Sequence, residues 1–121
     1  MTNTATALYE FWSSFGIPAY VEYHVPDDAE MPYITYELTE PNWKEQAAVR
    51  ARVWYRDFSF VSISAKLDEI KDKIGDGFTM PVGDGMIALF TDDPFIQFQP
   101  YEDETGVKVA YLSLILHSFT S

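Results

Sequence analysis

Leu8, Phe11, Trp12 and Phe15 recur at i, i+3, i+4 and i+7, which lays four large apolar side chains along one face of a helix. Thr2 or Thr4 offers an N-cap hydroxyl, and Gly16 followed by Pro18 predicts the stop. Beyond Pro18 the period shortens. Residues 19–24 alternate loosely, Pro26-Asp27-Asp28-Ala29-Glu30 is a polar turn, and Met31 to Leu38 is a β-branched and aromatic run that predicts a strand. Pro32 suits the first position of that strand, where no ladder donor is lost. Residues 40–45 predict a loop or hairpin tip. Ala48 to Tyr55 then alternates strictly, with Val49, Ala51, Val53 and Tyr55 facing one way and Arg50, Arg52, Trp54 and Arg56 the other.

Asp57 predicts the cap of a second helix running from about Phe58 to Ile74. Phe60, Ile63, Leu67, Ile70 and Ile74 form its apolar stripe, and Ser59, Ser62, Lys66, Glu69 and Lys73 fall on the solvent side. Gly75 supplies the left-handed turn of a C-cap. The last third is β-rich: a short strand over 78–82, a turn at 83–85, and an apolar strand over 86–90. Thr91-Asp92-Asp93-Pro94 predicts a break, 95–99 a half-exposed strand, 101–106 a hairpin connection and 107–119 a long final strand. Val107, Val109, Tyr111, Ser113 and Ile115 share one face of that last strand; Lys108, Ala110, Leu112, Leu114 and Leu116 share the other. Its middle is apolar on both faces, which predicts a central strand covered on both sides, by helices on one and by a partner or second layer on the other. The element order gives an α+β fold, a mainly antiparallel sheet with two helices packed on one face, and residues 1–121 as a single domain.

Charge and composition narrow the function classes. Three Trp, eight Tyr and nine Phe make a high aromatic load for 121 residues, shared between the core and interface anchors, for which Tyr and Trp are favoured. There is no cysteine, which removes disulfides, thiolate metal sites and cysteine nucleophiles, and leans toward a reducing compartment. Nineteen acids against eight bases give a formal charge of −11, a surface that repels phosphate backbones. Sequence-specific nucleic-acid binding is not expected. Residues 1–6 lack a signal-peptide pattern, and the apolar runs fall well short of the ~20 residues that span a bilayer, so a soluble protein is expected.

Catalytic equipment is sparse. His24 and His117 stand far apart in sequence, and no Gly-x-Ser-x-Gly accompanies them. Gly75-Asp76-Gly77 and Gly83-Asp84-Gly85 lack the Lys-Ser/Thr of a phosphate-cradling loop and predict turns. The acidic stretches at 27–30, 92–93 and 102–104 miss the alternate ligand spacing of a calcium loop. Neither enzyme activity nor a cofactor or metal is expected. Arg50, Arg52 and Arg56 bring three of eight basic residues to one strand face. Two readings stand: pairing across strands with the domain's own carboxylates, or contact with the acidic surface of a neighbouring copy.

The order of features carries a resemblance. Leu8-Tyr9-Glu10-Phe11-Trp12, Phe15-Gly16-Ile17-Pro18-Ala19-Tyr20, Val25-Pro26-Asp27-Asp28-Ala29 and Met31-Pro32-Tyr33-Ile34-Thr35-Tyr36-Glu37-Leu38 are followed by the Arg-rich strand into Trp54-Tyr55-Arg56. The amphipathic helix to Gly75, Gly85-Met86-Ile87, Pro94-Phe95-Ile96-Gln97 and the terminal strand complete it. Over nearly its whole length the chain resembles the small tail-completion proteins of long-tailed bacteriophages, in particular the tail terminators. That resemblance implies a tail-tube-like fold with a curved sheet, and a virion protein assembled in the host cytoplasm. It also implies a ring, usually a hexamer, that caps the tail-tube protein, halts its polymerisation and docks the head-completion or stopper protein. DNA would pass through the lumen without specific binding, which the negative charge suits.

The family offers no motif-matched binding residues. The candidate interface of Arg50, Arg52, Trp54, Arg56 and Trp43 therefore rests on patterning alone. Alternatives are a stopper or adaptor protein of the head-tail connector, a small-ligand binding module lined by the aromatic residues, and a hydrolase using paired carboxylates.

Overall fold

A computed structural model describes residues 3–39, 46–57, 59–83, 85–100 and 106–119. Helix α1 (Thr4–Ser13) leads into strands β1 (Ala19–Val21), β2 (Tyr33–Thr39) and β3 (Gln46–Arg56). Helix α2 (Val61–Ile74) follows, then β4 (Phe78–Val82), β5 (Gly85–Pro100) and β6 (Val107–Phe119). All six strands join one sheet in the order β1-β2-β3-β6-β5-β4. Only β1 runs parallel to its neighbour; every other pairing is antiparallel.

The alternation of β3 and β6 sets the core. Val49, Ala51 and Val53 are buried beside Leu112, Leu114 and Ala110, their cross-strand neighbours. Ile63, Leu67, Ile70 and Ile74 of α2 and Leu8, Phe11 and Trp12 of α1 close over the same side. Helix α1 touches both β1 and β4, which are opposite edges of the strand order, so the sheet curls around it. Trp12 stacks on Tyr36 of β2 at 6.2 Å while Phe11 meets Phe78 of β4 at 5.2 Å, fixing the curl from both sides. The expected α+β architecture, a curved and mainly antiparallel sheet with two helices on one face, is present.

Five local expectations change. The N-cap of α1 is Asn3, whose Oδ1 accepts from the Thr6 N–H at 2.8 Å; Asn competes well with Thr for this position. Helix α2 starts at Val61, because the Asp57 carboxylate accepts instead from the Ser59 N–H and the Ser62 hydroxyl and holds a turn before the helix. Phe60 is consequently left half-exposed, edge-on to Phe98 and under Lys108.

Residues 91–94 do not break the chain into two strands. Strand β5 runs through them, and the pairing with β6 shifts register between Thr91 and Ile96, an irregularity that lets an extended strand absorb Asp92, Asp93 and Pro94 in exposed positions. Lys66 and Lys73, read as solvent-side, instead tie the end of α1 to α2. Lys66 Nζ donates to the Phe15 carbonyl and pairs with Glu69 at 2.8 Å, and Lys73 Nζ donates to Ser14 Oγ among the rings of Phe11, Phe15 and Phe78. A cation at a helix C-terminus is favoured by the carbonyl dipoles there.

Candidate interaction surface

The second face of the sheet lies away from both helices, and register fixes its membership. Arg50 stands opposite Ser113, Arg52 opposite Tyr111, Trp54 opposite Val109 and Arg56 opposite Val107. On the other side of β3, Glu37, Thr35 and Tyr33 oppose Arg50, Arg52 and Trp54. The four patterned residues therefore do share one face. Trp43, grouped with them from sequence, lies outside the described residues.

Two arrangements organise this face. The first is an aromatic ladder across three strands: Tyr20 of β1 meets Tyr33 of β2 edge-on at 5.8 Å, and Tyr33 tilts on Trp54 of β3 at 6.1 Å. The Trp54 indole N–H donates to Thr35 Oγ1 at 3.1 Å, giving the one buried polar side chain of the described core a partner. Cross-strand aromatic pairs of this kind stiffen a sheet and hold its rings in fixed positions.

The second arrangement is built on Arg52. Its Nη1 donates to Glu22 Oε1 at 2.6 Å, and its guanidinium lies 4.8 Å from the Tyr111 ring centre. Arg52 thus spans from the end of β1 to β6. Arg50, one step along the face, is exposed and forms no ion pair among the described residues, although Glu37 stands opposite it. Around them a concavity of about 320 Å³ is lined by Glu22, Glu37, Arg50, Arg52, Gln97 and Tyr111.

The two readings of the arginine face divide by residue. Arg52 satisfies the intramolecular one; Arg50 remains open to a partner. Sequence patterning did not find Glu22, because its pairing joins positions 30 apart through a fold-level contact. Tyr111 and Gln97 were legible only as members of strand faces.

Val107 and Val109 at the Trp54 end of this face are buried, whereas from Arg50 and Tyr111 onward the described residues leave it partly open. Tyr111, Ser113, Ile115 and His117 of β6 are half-buried, while Met86 and Phe119 at the far end are about half exposed. His117 packs edge-on to Phe90 and stacked on Phe119, so its ring serves packing; His24 is exposed on a turn. Among the described residues no three His, Asp or Glu side chains are placed to hold a metal, and no helix is long and apolar enough to cross a membrane. The clear pKa shifts lie on the helical side. Burial raises Tyr36, with Tyr9 adding to it, and burial raises Tyr55, with Lys66 opposing and Glu69 adding.

No protein-family profile matches the chain, and no curated protein matches it in sequence. The arrangement itself, a stiff aromatic ladder beside an open arginine on a partly open sheet face, is suited to seating another protein surface.

Proposed function

We propose that this chain is a ring-forming structural protein of a long-tailed bacteriophage, capping the tail tube, ending its growth and offering a docking face to the head connector, with no catalytic role. The partly open sheet face supports the reading. A sheet this apolar on both sides of its central strand needs a second layer, and a neighbouring copy supplies one without further chain. Heterologous contacts close into a ring when the rotation per copy fits. The acid excess suits a channel through which DNA slides.

Native mass spectrometry across a concentration series tests this. Six copies of the 13.9 kDa chain give a closed species of about 83 kDa. That species, together with arrest of tube growth when the protein is added to polymerising tail-tube subunits, is the expected result. Binding to head connectors without any effect on tubes would move the assignment to a stopper or adaptor. A monomer at every concentration that leaves tube growth unchanged would sink the reading and favour a small-ligand module seated in the Arg50–Tyr111 concavity.

A further inference from the structure

Helix α2 presents to solvent a ridge that its core stripe does not explain. Val61, Ala65, Asp68 and Asp72 recur at i, i+4, i+7 and i+11, opposite Ile63, Leu67, Ile70 and Ile74. All four are exposed, Val61 at 74%. The ridge is apolar in its first half and acidic in its second. Lys66 and Lys73, which could have neutralised the acids, are turned toward α1 and held by Phe15 and Ser14; Lys71 stays exposed on the flank.

The partly open sheet face has the complementary layout. Trp54 and Tyr111, both half-buried, form its apolar part, and exposed Arg50 its open cation. Among the described residues it carries Arg50, Arg52 and Arg56 against Glu22 and Glu37, a local run of base in a chain of formal charge −11. Distances agree as well. Four residues of strand separate Trp54 from Arg50, roughly 14 Å, and the centres of the two halves of the ridge lie roughly 10 Å apart on the helix. The small side chain of Ala65 permits the close approach that helix-on-sheet packing requires.

We infer that the occupant of the sheet face is the α2 ridge of a second copy, Val61 and Ala65 lying over Trp54 and Tyr111 while Asp68 and Asp72 face Arg50. This rests on the ring-forming reading and gives that ring its contact. The contact is heterologous: each copy uses its helix on one side and its sheet on the other.

Charge reversal tests it, with native mass spectrometry as the readout and circular dichroism confirming the fold of each variant. R50E alone and D68K/D72K alone are each expected to raise the concentration needed for assembly by about tenfold or more. R50E/D68K/D72K in one chain should restore assembly to within about threefold of wild type. R50E assembling like wild type, or the combined variant failing to recover, would overturn this contact while leaving the ring intact as a reading. A wild-type chain that is monomeric at all concentrations and leaves tube growth unchanged would overturn both.

Discussion

Replacing Arg52 by Gln, Glu22 by Gln, and both together separates internal stability from assembly on the arginine face. Arg52 donates one charge-assisted hydrogen bond, of a kind that contributes about 1.5–3 kcal/mol, and stacks on Tyr111, which adds about 0.5–1 kcal/mol at an exposed site. The Arg52 side chain is 37% exposed and Glu22 13% exposed, so solvent screens part of both. Discounted for that, Arg52→Gln should destabilise the monomer by about 1.5 kcal/mol, and the cycle should return a coupling of about 1 kcal/mol between the two residues. For a chain of this size the single substitution lowers Tm by roughly 6 °C.

Urea unfolding followed by tryptophan fluorescence gives the four free energies, at a concentration low enough to keep the protein monomeric. In about 1 M salt, where the Debye length falls to about 3 Å, the coupling should weaken but persist. Arg50→Gln in the same assay should change stability by less than about 0.5 kcal/mol, since the side chain is exposed and unpaired. A coupling below about 0.3 kcal/mol, or Arg50→Gln destabilising as much as Arg52→Gln, would refute the division of roles.

Three further tests address the scaffold. Leu112, 1% exposed at the centre of β6, should on replacement by Ala destabilise by about 2–5 kcal/mol, read from the urea midpoint; a loss under about 1 kcal/mol would mean the sheet–helix core is loosely packed. Tyr23 occupies the third position of the turn closed by the His24 N–H to the Val21 carbonyl, with φ 70° and 88% exposure, so Tyr23→Asn should stabilise by about 0.5–1 kcal/mol; a clear loss would show that the ring makes contacts which offset its strained backbone. Burial holds Tyr36 protonated above its ordinary pKa of 10.0, so its contribution is complete below about pH 10 and is lost as pH rises from there through the folded value. Thermal melts across that range should therefore fall less steeply for Tyr36→Phe than for wild type, and parallel slopes would remove the assignment.

Much of the fold was legible because its strongest signals are periodic. The strict alternation of Val49 to Arg56 and the two-sided apolar middle of 107–119 predicted the paired central strands, and the stripe from Ile63 to Ile74 predicted α2. What failed was local chemistry with two outcomes. Asp92-Asp93-Pro94 favours a turn or an irregular exposed strand, and only the pairing of β5 with β6 on both sides of the segment selects the second. Asp57 can cap a helix at once or hold a turn before it, and the Ser59 and Ser62 contacts select the turn. Lys66 and Lys73 were assigned to solvent by helical angle alone, which ignores that α1 ends beside them. The arginine face was visible as a face, but the partition between paired Arg52 and open Arg50 depends on Glu22 arriving from β1.

That partition also governs which assemblies the surface permits. Two copies meeting sheet to sheet about an axis at Arg50 would oppose Arg50 to Arg50 and, among the described residues of this face, offer no acid beyond Glu22, already engaged, and Glu37, already opposite Arg50. Two copies meeting helix to helix would bring Asp68 and Asp72 against their own images, with both nearby lysines of the α1 side turned away. Either isologous dimer sets like charges face to face. Of the three arrangements, the helix-to-sheet one joins opposite charges among the described residues and at the same time covers the aromatic ladder. That contact leaves one helix ridge and one sheet face open at the ends of every open chain of copies, and where the rotation per copy fits, the two ends meet. Closure is then the one state in which every copy's sheet face has an occupant, and under the tube-capping role proposed above such an interface limits its own growth.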